Sequence, residues 1–270
     1  MKALLLARGR GRRMQSAGDD AGLTAAQRTA AAAGAKGMMP VGRGDRPFLD
    51  HVLSALADAD CRDVCLVVAP DHETIRSYFT GAGRPARVRI SYAVQPLADG
   101  TARAVLAGQS FAGRDPFLVL NADNLYPTKV LQALIALDQP GLPAFEREAL
   151  VHDSGFPSER VAGFALLEVD GSGRLRGIIE KPNAAQLTAA GPHALVSMNI
   201  WRFDRRIFCA CADVPVSTRG EFELPAAVGL AITTGMPFHV IRASGAVLDL
   251  SRQSDVALVS ARLASVEPQP

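Results

Sequence analysis

Lys2-Ala3-Leu4-Leu5-Leu6-Ala7, followed at once by Arg8-Gly9-Arg10-Gly11-Arg12-Arg13-Met14, is an apolar run that stops in a glycine turn. An apolar run this short, without alternation, is the pattern of a strand buried on both faces, as in parallel sheets. The segments that follow repeat the theme. Within residues 47–59, Phe48, Leu49, Val52, Leu53 and Leu56 fall on one helix face. Residues 64–69 read as a second buried strand, and 71–79 as a helix with Asp71 in the capping position. A third strand is expected over 88–94, a small-residue helix over 101–108 and a fourth strand over 117–120. Strand and helix alternate, so the fold class is α/β, with a doubly wound, mainly parallel mixed sheet of Rossmann-like type. Ligands of such sheets sit outside the carboxyl ends of the strands. The Arg8–Arg13 turn and the turn around Asp123 both fall there.

The second half reads differently. Residues 160–168, 175–180 and 195–203 are expected strands, with Asp170-Gly171-Ser172-Gly173 as a turn, extending the sheet and adding a smaller lobe. Residues 15–35 contain nine alanines and no large apolar face, which reads as a mobile flap or a disordered insert. Residues 265–270 lack periodicity and read as a frayed tail.

Bulk properties narrow the classes. The 270 residues are 48% hydrophobic and 21% charged with a formal net charge of +2, so no global field draws the chain to nucleic acid or an anionic membrane. The arginine cluster has no interleaved aromatics, so no stacking platform for single strands is present. Cys61, Cys65, Cys209 and Cys211 have no C-x-x-C spacing, which fits reduced thiols and a cytoplasmic location. No apolar stretch approaches the length of a membrane span. The sequence leaves the oligomeric state open, a homo-oligomer included.

Gly9-x-Gly11 after a buried strand suggests phosphate binding, because glycines let backbone N–H groups approach an anion. The dinucleotide fingerprint G-x-G-x-x-G fails at Met14, and neither the spacing nor the Lys-Ser/Thr ending of a P-loop occurs. Taken singly, the other acidic and basic residues have bland readings. Asp123 is an ordinary turn residue after a strand, Lys181 a surface charge and Glu223 a solvated helix residue.

Their order carries more. Leu6-Ala7-Arg8-Gly9-Arg10-Gly11-Arg12-Arg13-Met14 and Lys36-Gly37-Met38-Met39-Pro40 resemble the signature of the sugar-1-phosphate nucleotidyltransferases, which include glucose-1-phosphate thymidylyl- and uridylyltransferases. Five further stretches resemble that family in its order: Gln95 to Ala102, Leu120-Asn121-Ala122-Asp123-Asn124, Glu180-Lys181-Pro182, Arg219 to Leu224 and Val247-Leu248-Asp249. The resemblance implies one nucleotidyltransferase domain over 1–264, with a nucleotide-binding half to about 140 and a sugar-binding half from 141. It implies a nucleoside triphosphate, dTTP or UTP, held by Leu6, Ala7, Arg8, Gly9, Gly11, Gln95, Gly100 and Thr101. Arg13 and Lys36 would be catalytic, and the sugar phosphate would meet Glu180, Lys181, Asn199 and Glu223. Asp123 and Asp249 would hold Mg²⁺, a hard ion suited to carboxylate and phosphate oxygens. The implied reaction joins the nucleotidyl group to a sugar 1-phosphate and releases pyrophosphate. Arg8, Arg12, Ala122 and Val247 depart from the family's usual residues, and Arg8 and Arg12 motivate an alternative: a regulatory protein that binds nucleotide or nucleotide sugar with impaired turnover.

Overall fold

The computed structural model describes residues 1–9, 11–15 and 22–270, and the backbone but not the side chain of Arg12. Fourteen strands occur among them. They are β1 (Lys2–Leu6), β2 (Pro40–Val41), β3 (Arg46–Pro47), β4 (Asp63–Val68), β5 (Arg89–Val94), β6 (Phe117–Asn121) and β7 (Asn124–Leu125). Then come β8 (Gly141–Glu146), β9 (Leu166–Val169), β10 (Leu175–Ile179), β11 (Leu195–Ser197), β12 (Ile200–Phe203), β13 (His239–Ala243) and β14 (Leu248–Asp249).

The opening strand lies inside the sheet, as its unbroken apolar run requires. β1 runs parallel to β4 on one side and β6 on the other, with Leu6 opposite Val67 and Asn121. Ala3 and Leu5 enter one hydrophobic core and Leu4 the other, so both faces are covered. The helix Phe48–Asp58 supplies Phe48, Leu49, Val52, Leu53 and Leu56 to the first core; the helix Thr101–Ala107 supplies Ala102 and Val105 to the second. β5 adds parallel to β4. All four strands therefore end on the same edge, and the order switches sides at β1, the place where a doubly wound sheet opens a crevice.

The second half continues the same sheet with reversed strands. Its order is β10-β9-β11-β8-β12-β6-β1-β4-β5, with β13 parallel beside β8. β12 pairs antiparallel with β6, and β11, β9 and β10 are also antiparallel to their neighbours. The α/β class with a large mixed sheet, parallel from β6 through β1 and β4 to β5, is as expected. No helix among the described residues is long and apolar enough to cross a membrane.

Several local expectations are corrected. Residues 160–168 are not one strand: Pro157 fixes φ ahead of the helix Ser158–Ala162, Gly163 closes it, and β9 starts only at Leu166. Residues 195–203 form two strands, because Asn199 turns left-handed at φ 58. Asp71 caps nothing; the helix Glu73–Thr80 begins after His72. Of the alanine-rich segment, residues 22–35 are anchored rather than flap-like. Thr24 and Gln27 form a reciprocal capping box on the helix Ala25–Ala32, Gln27 Nε2 donates to Pro40 O at 3.0 Å, and Leu23 and Ala31 enter the core. Residues 16–21 lie outside the described residues. The tail is docked, not frayed: Pro270 O accepts from Ala86 N at 2.8 Å and Arg87 N at 3.0 Å, and Gln269 N donates to Ser54 Oγ at 3.1 Å.

Candidate active site

The parallel strands deliver three chain segments to one edge. Ala7 N donates to Val67 O at 2.9 Å, Gln95 N to Val68 O at 2.9 Å and Ala122 N to Leu6 O at 3.2 Å. The turns after β1, β5 and β6 thus stand side by side around a cleft of about 370 Å³. Leu6, Ala7, Arg8, Gly9, Gly11, Lys36, Gln95, Gly100, Thr101 and Asp123 all line it.

Two glycines there are fixed by close approach. Gly11 has φ 59, and a Cβ on it would stand 2.4 Å from Gly34 O, so the glycine turn is pressed against the end of the alanine-rich segment. Gly100 has φ 122, and its Cβ would meet Phe222 O at 2.3 Å. Around Gly100, Phe222 N donates to Asp99 O at 2.7 Å, Ala102 N to Phe222 O at 2.9 Å, and Leu224 N to Thr101 Oγ1 at 2.9 Å. The stretch from Arg219 to Leu224 is thereby sewn to the segment after β5, and Glu221 joins the cleft lining.

At the end of the cleft near β5, Arg8 is 8% exposed. Its Nε donates to Gln95 O at 3.2 Å and its Nη2 to Pro96 O at 3.1 Å. The buried Gln95 amide donates to Asp99 Oδ1 at 2.9 Å and Gly100 O at 3.0 Å. His72, which sequence reasoning placed in no motif, also lines the cleft. Its Nδ1 accepts from Ala69 N at 3.1 Å, so the neutral ring carries its proton on Nε2. Burial lowers its pKa, the charges of Arg8 and Arg76 lower it further, and Asp71 opposes them. The available signal was its place just beyond the carboxyl end of β4.

Asp123 and Asp249 come together through a short ladder. β14 pairs with β7 so that Asp249 stands opposite Asn124, and Leu250 N donates to Asp123 O at 2.9 Å. The surrounding protein pushes the Asp123 carboxyl up, Lys36 pulls it down, and Asp249 pushes it up again. Lys36 Nζ lies 2.8 Å from Asp123 Oδ2. Asp249 takes Asn124 Nδ2 at 3.0 Å on Oδ2 and the guanidinium of Arg160 on Oδ1. Two adjacent carboxylates, one just before β7 and one on the facing β14, suit a divalent ion. No cluster of three or more ligating side chains occurs among the described residues. A pair suits Mg²⁺, which is commonly held by one or two carboxylates with phosphate oxygens and water completing the shell.

The remaining expected residues lie outside the cleft lining. Arg13 is exposed on the helix Arg12–Gln15 that follows the turn. Lys181, at φ 47, and Asn199 are exposed in left-handed backbone. Arg219 holds Glu223 at 2.7 Å and Ser217 Oγ donates to it at 2.8 Å; with Arg219 leading, these lower the Glu223 pKa. Glu180 feels the same group: the protein around it and then Glu223 raise its pKa, while Arg219 and Lys181 lower it. Arg10 and the Arg12 side chain lie outside the described residues.

The model of the family described as nucleotidyl transferase matches residues 2–245. The chain belongs to the nucleotidyl transferase family. Among its relatives, a UTP–glucose-1-phosphate uridylyltransferase, AglF, of Haloferax volcanii is 27% identical over 94% of this chain and 93% of its own length. The bifunctional protein GlmU of Methanococcus maripaludis is 26% identical over 82% of this chain, and the match spans only 47% of that longer protein. Among solved structures, a UTP-bound UGPase from Acinetobacter baumannii superposes with a TM-score of 0.75 at 19% identity, over 97% of this chain and 92% of the other.

Membership of the nucleotidyl transferase family accords with the resemblance drawn from the ordered motifs. The family match covers every candidate residue except Asp249, which follows its end by four positions, 249 against 245. Two departures from the usual residues are absorbed locally. Ala122 is not among the residues with positive φ, so a glycine is not required there. Val247 is fully buried, and its N–H donates to Ser154 Oγ at 2.9 Å.

Proposed function

We propose that the chain transfers a nucleotidyl group from UTP or dTTP to a sugar 1-phosphate in the presence of Mg²⁺, giving a nucleotide sugar and pyrophosphate. The observation that carries this reading is the cleft itself: the glycine turn, Lys36, Gln95 and Asp123 converge on it, with Asp249 one ladder rung away. An oxygen of the sugar phosphate forms a bond to the α-phosphorus, and the bond from that phosphorus to the bridging oxygen of pyrophosphate breaks. The attacking oxygen is already anionic near neutral pH, so no side chain need remove a proton. Both substrates repel one another, and catalysis is chiefly positioning and charge compensation.

Each group on the cleft has a part in that scheme. Backbone N–H groups of the glycine turn receive the triphosphate, and Lys36 supplies positive charge beside the α-phosphate. Asp123 and Asp249 would hold Mg²⁺, which when bound neutralises phosphate oxygens and steadies the leaving pyrophosphate. Gln95, Gly100 and Thr101 form the wall against which a pyrimidine would rest. Arg8 braces that wall through the Gln95 and Pro96 carbonyls. Lys181, Glu180, Asn199 and Glu223 belong to the sugar-phosphate side, which the bonded 99–102 and 219–224 segments connect to the nucleotide side. Arg13 would contact phosphate from the helix behind the turn.

Relatives favour uridine or thymidine nucleotides and glucose 1-phosphate as first substrates to try. Folded protein incubated with Mg²⁺, each nucleoside triphosphate and a panel of sugar 1-phosphates should release pyrophosphate with at least one pair, UTP or dTTP leading. Tight nucleotide binding by calorimetry without pyrophosphate from any pair would support the binding-only alternative instead.

A further inference from the structure

Arg160 is held in place independently of the carboxylate it touches. Its Nη1 bonds Asp255 Oδ1 at 2.7 Å, and Asp255 is itself fixed by the N–H groups of Ser251 at 2.9 Å and Arg252 at 2.8 Å. Its guanidinium carbon lies 5.0 Å from the centre of the buried Phe156 ring, which packs edge-on against Phe164. The Arg160 side chain is 13% exposed, too enclosed for a solvated surface arginine. The other arm of the fork, Nη2, occupies Asp249 Oδ1. Lys36 occupies Asp123 in the same way.

The consequence is electrostatic. The two carboxylates proposed to hold Mg²⁺ are partly compensated by Lys36 and by Arg160, whose charge Asp249 shares with Asp255, so three carboxylates face two cations and a net charge of −1 is left for an entering ion. A divalent ion entering alone would displace Lys36 from Asp123 and sit beside a guanidinium that Asp255 and Phe156 keep from leaving. A triphosphate changes the balance, because its oxygens give Lys36 a new partner and bring negative charge of their own.

We propose that Arg160 is a positioning residue that shares Asp249 with the divalent ion and weakens ion binding until a triphosphate is present. The proposal rests on the reading of Asp123 and Asp249 as the ion's carboxylates. It assigns a task to a side chain outside the cleft lining and absent from the expected site.

Mn²⁺ titrated into nucleotide-free protein, with free ion followed by electron paramagnetic resonance, tests it without turnover. Wild type should bind weakly and gain affinity when UTP or dTTP is added. Arg160→Gln should bind Mn²⁺ without nucleotide at least about tenfold more tightly, the scale expected when one unit charge beside a divalent ion is removed. The gain should vanish in the Arg160→Gln, Asp249→Asn double variant. Arg160→Lys, which can hold one carboxylate but not both, should gain less in the same direction and serves if the glutamine variant does not fold. Unchanged Mn²⁺ affinity in both single variants, with binding still lost in Asp249→Asn, overturns the role of Arg160 and leaves the carboxylate reading intact. Mn²⁺ binding that ignores Asp249→Asn in every variant overturns both.

Discussion

Gly11 and His72 are the residues whose local chemistry is most exposed to test. Gly11 combines left-handed backbone with a Cβ direction that points into Gly34 O at 2.4 Å. Gly11→Ala should therefore cost about 2 kcal/mol, from the backbone strain of a non-glycine residue there, and should weaken nucleotide binding as the turn moves; urea denaturation and calorimetry read the two effects. His72 works through its neutral form, since Nδ1 accepts from Ala69 N. Burial first, then Arg8 and Arg76, lower its folded pKa. As the pH falls below about 6.5, the unfolded chain takes up a proton at this imidazole before the folded one does. Stability from this group is thus complete above that pH and declines below it, down to the folded pKa. Melting temperatures of wild type and His72→Asn, whose amide oxygen can accept the same N–H, should diverge in that interval, with wild type falling faster. Parallel pH profiles would contradict the assignment.

The elements differ in how far local sequence specifies them. The alanine-rich segment looked unanchored because its apolar side chains are small, yet Thr24, Gln27, Leu23 and Ala31 fix residues 22–35. Thr24→Ala should cost about 1 kcal/mol, the usual worth of a helix cap, seen as a lower denaturation midpoint at unchanged slope. A shift no greater than that of an exposed substitution such as Thr233→Ala would contradict the box. The buried parallel strands were legible because continuous apolar runs leave few alternatives: β1, β4 and β6 lie within a residue or two of their expected bounds. The break at Asn199 was not legible, because the run from Leu195 to Phe203 is apolar enough for one strand and only backbone geometry reveals the left-handed residue. Arg160 was missed for a related reason. Its segment was read as strand, and its value comes from Asp249 and Asp255, 89 and 95 residues away. The convergence of Leu6, Gln95 and Asp123 was legible for the opposite reason, since parallel register alone brings the ends of their strands to one edge.

Across the molecule, one sheet carries both halves of the proposed site. The parallel half sets out the cleft, and the 219–224 stretch, proposed for the sugar side, is bonded against it through Phe222 and Thr101. The 0.75 TM-score to a UTP-bound UGPase agrees with the fold, and the family match covers both halves of the sheet. The proposal that follows from it is that the α-phosphate of the bound triphosphate is handed to a sugar phosphate in this cleft. The most direct measurement follows a radiolabel in the α-phosphate of UTP or dTTP, with Mg²⁺ and glucose 1-phosphate, into product. Wild type should move the label into a nucleotide sugar while unlabelled pyrophosphate appears, and folded Asp123→Asn should lose that transfer by about a hundredfold or more, the scale of removing one preorganised charge from a reacting phosphate. Label that stays in the triphosphate with wild type, or that moves equally fast with Asp123→Asn, would contradict it.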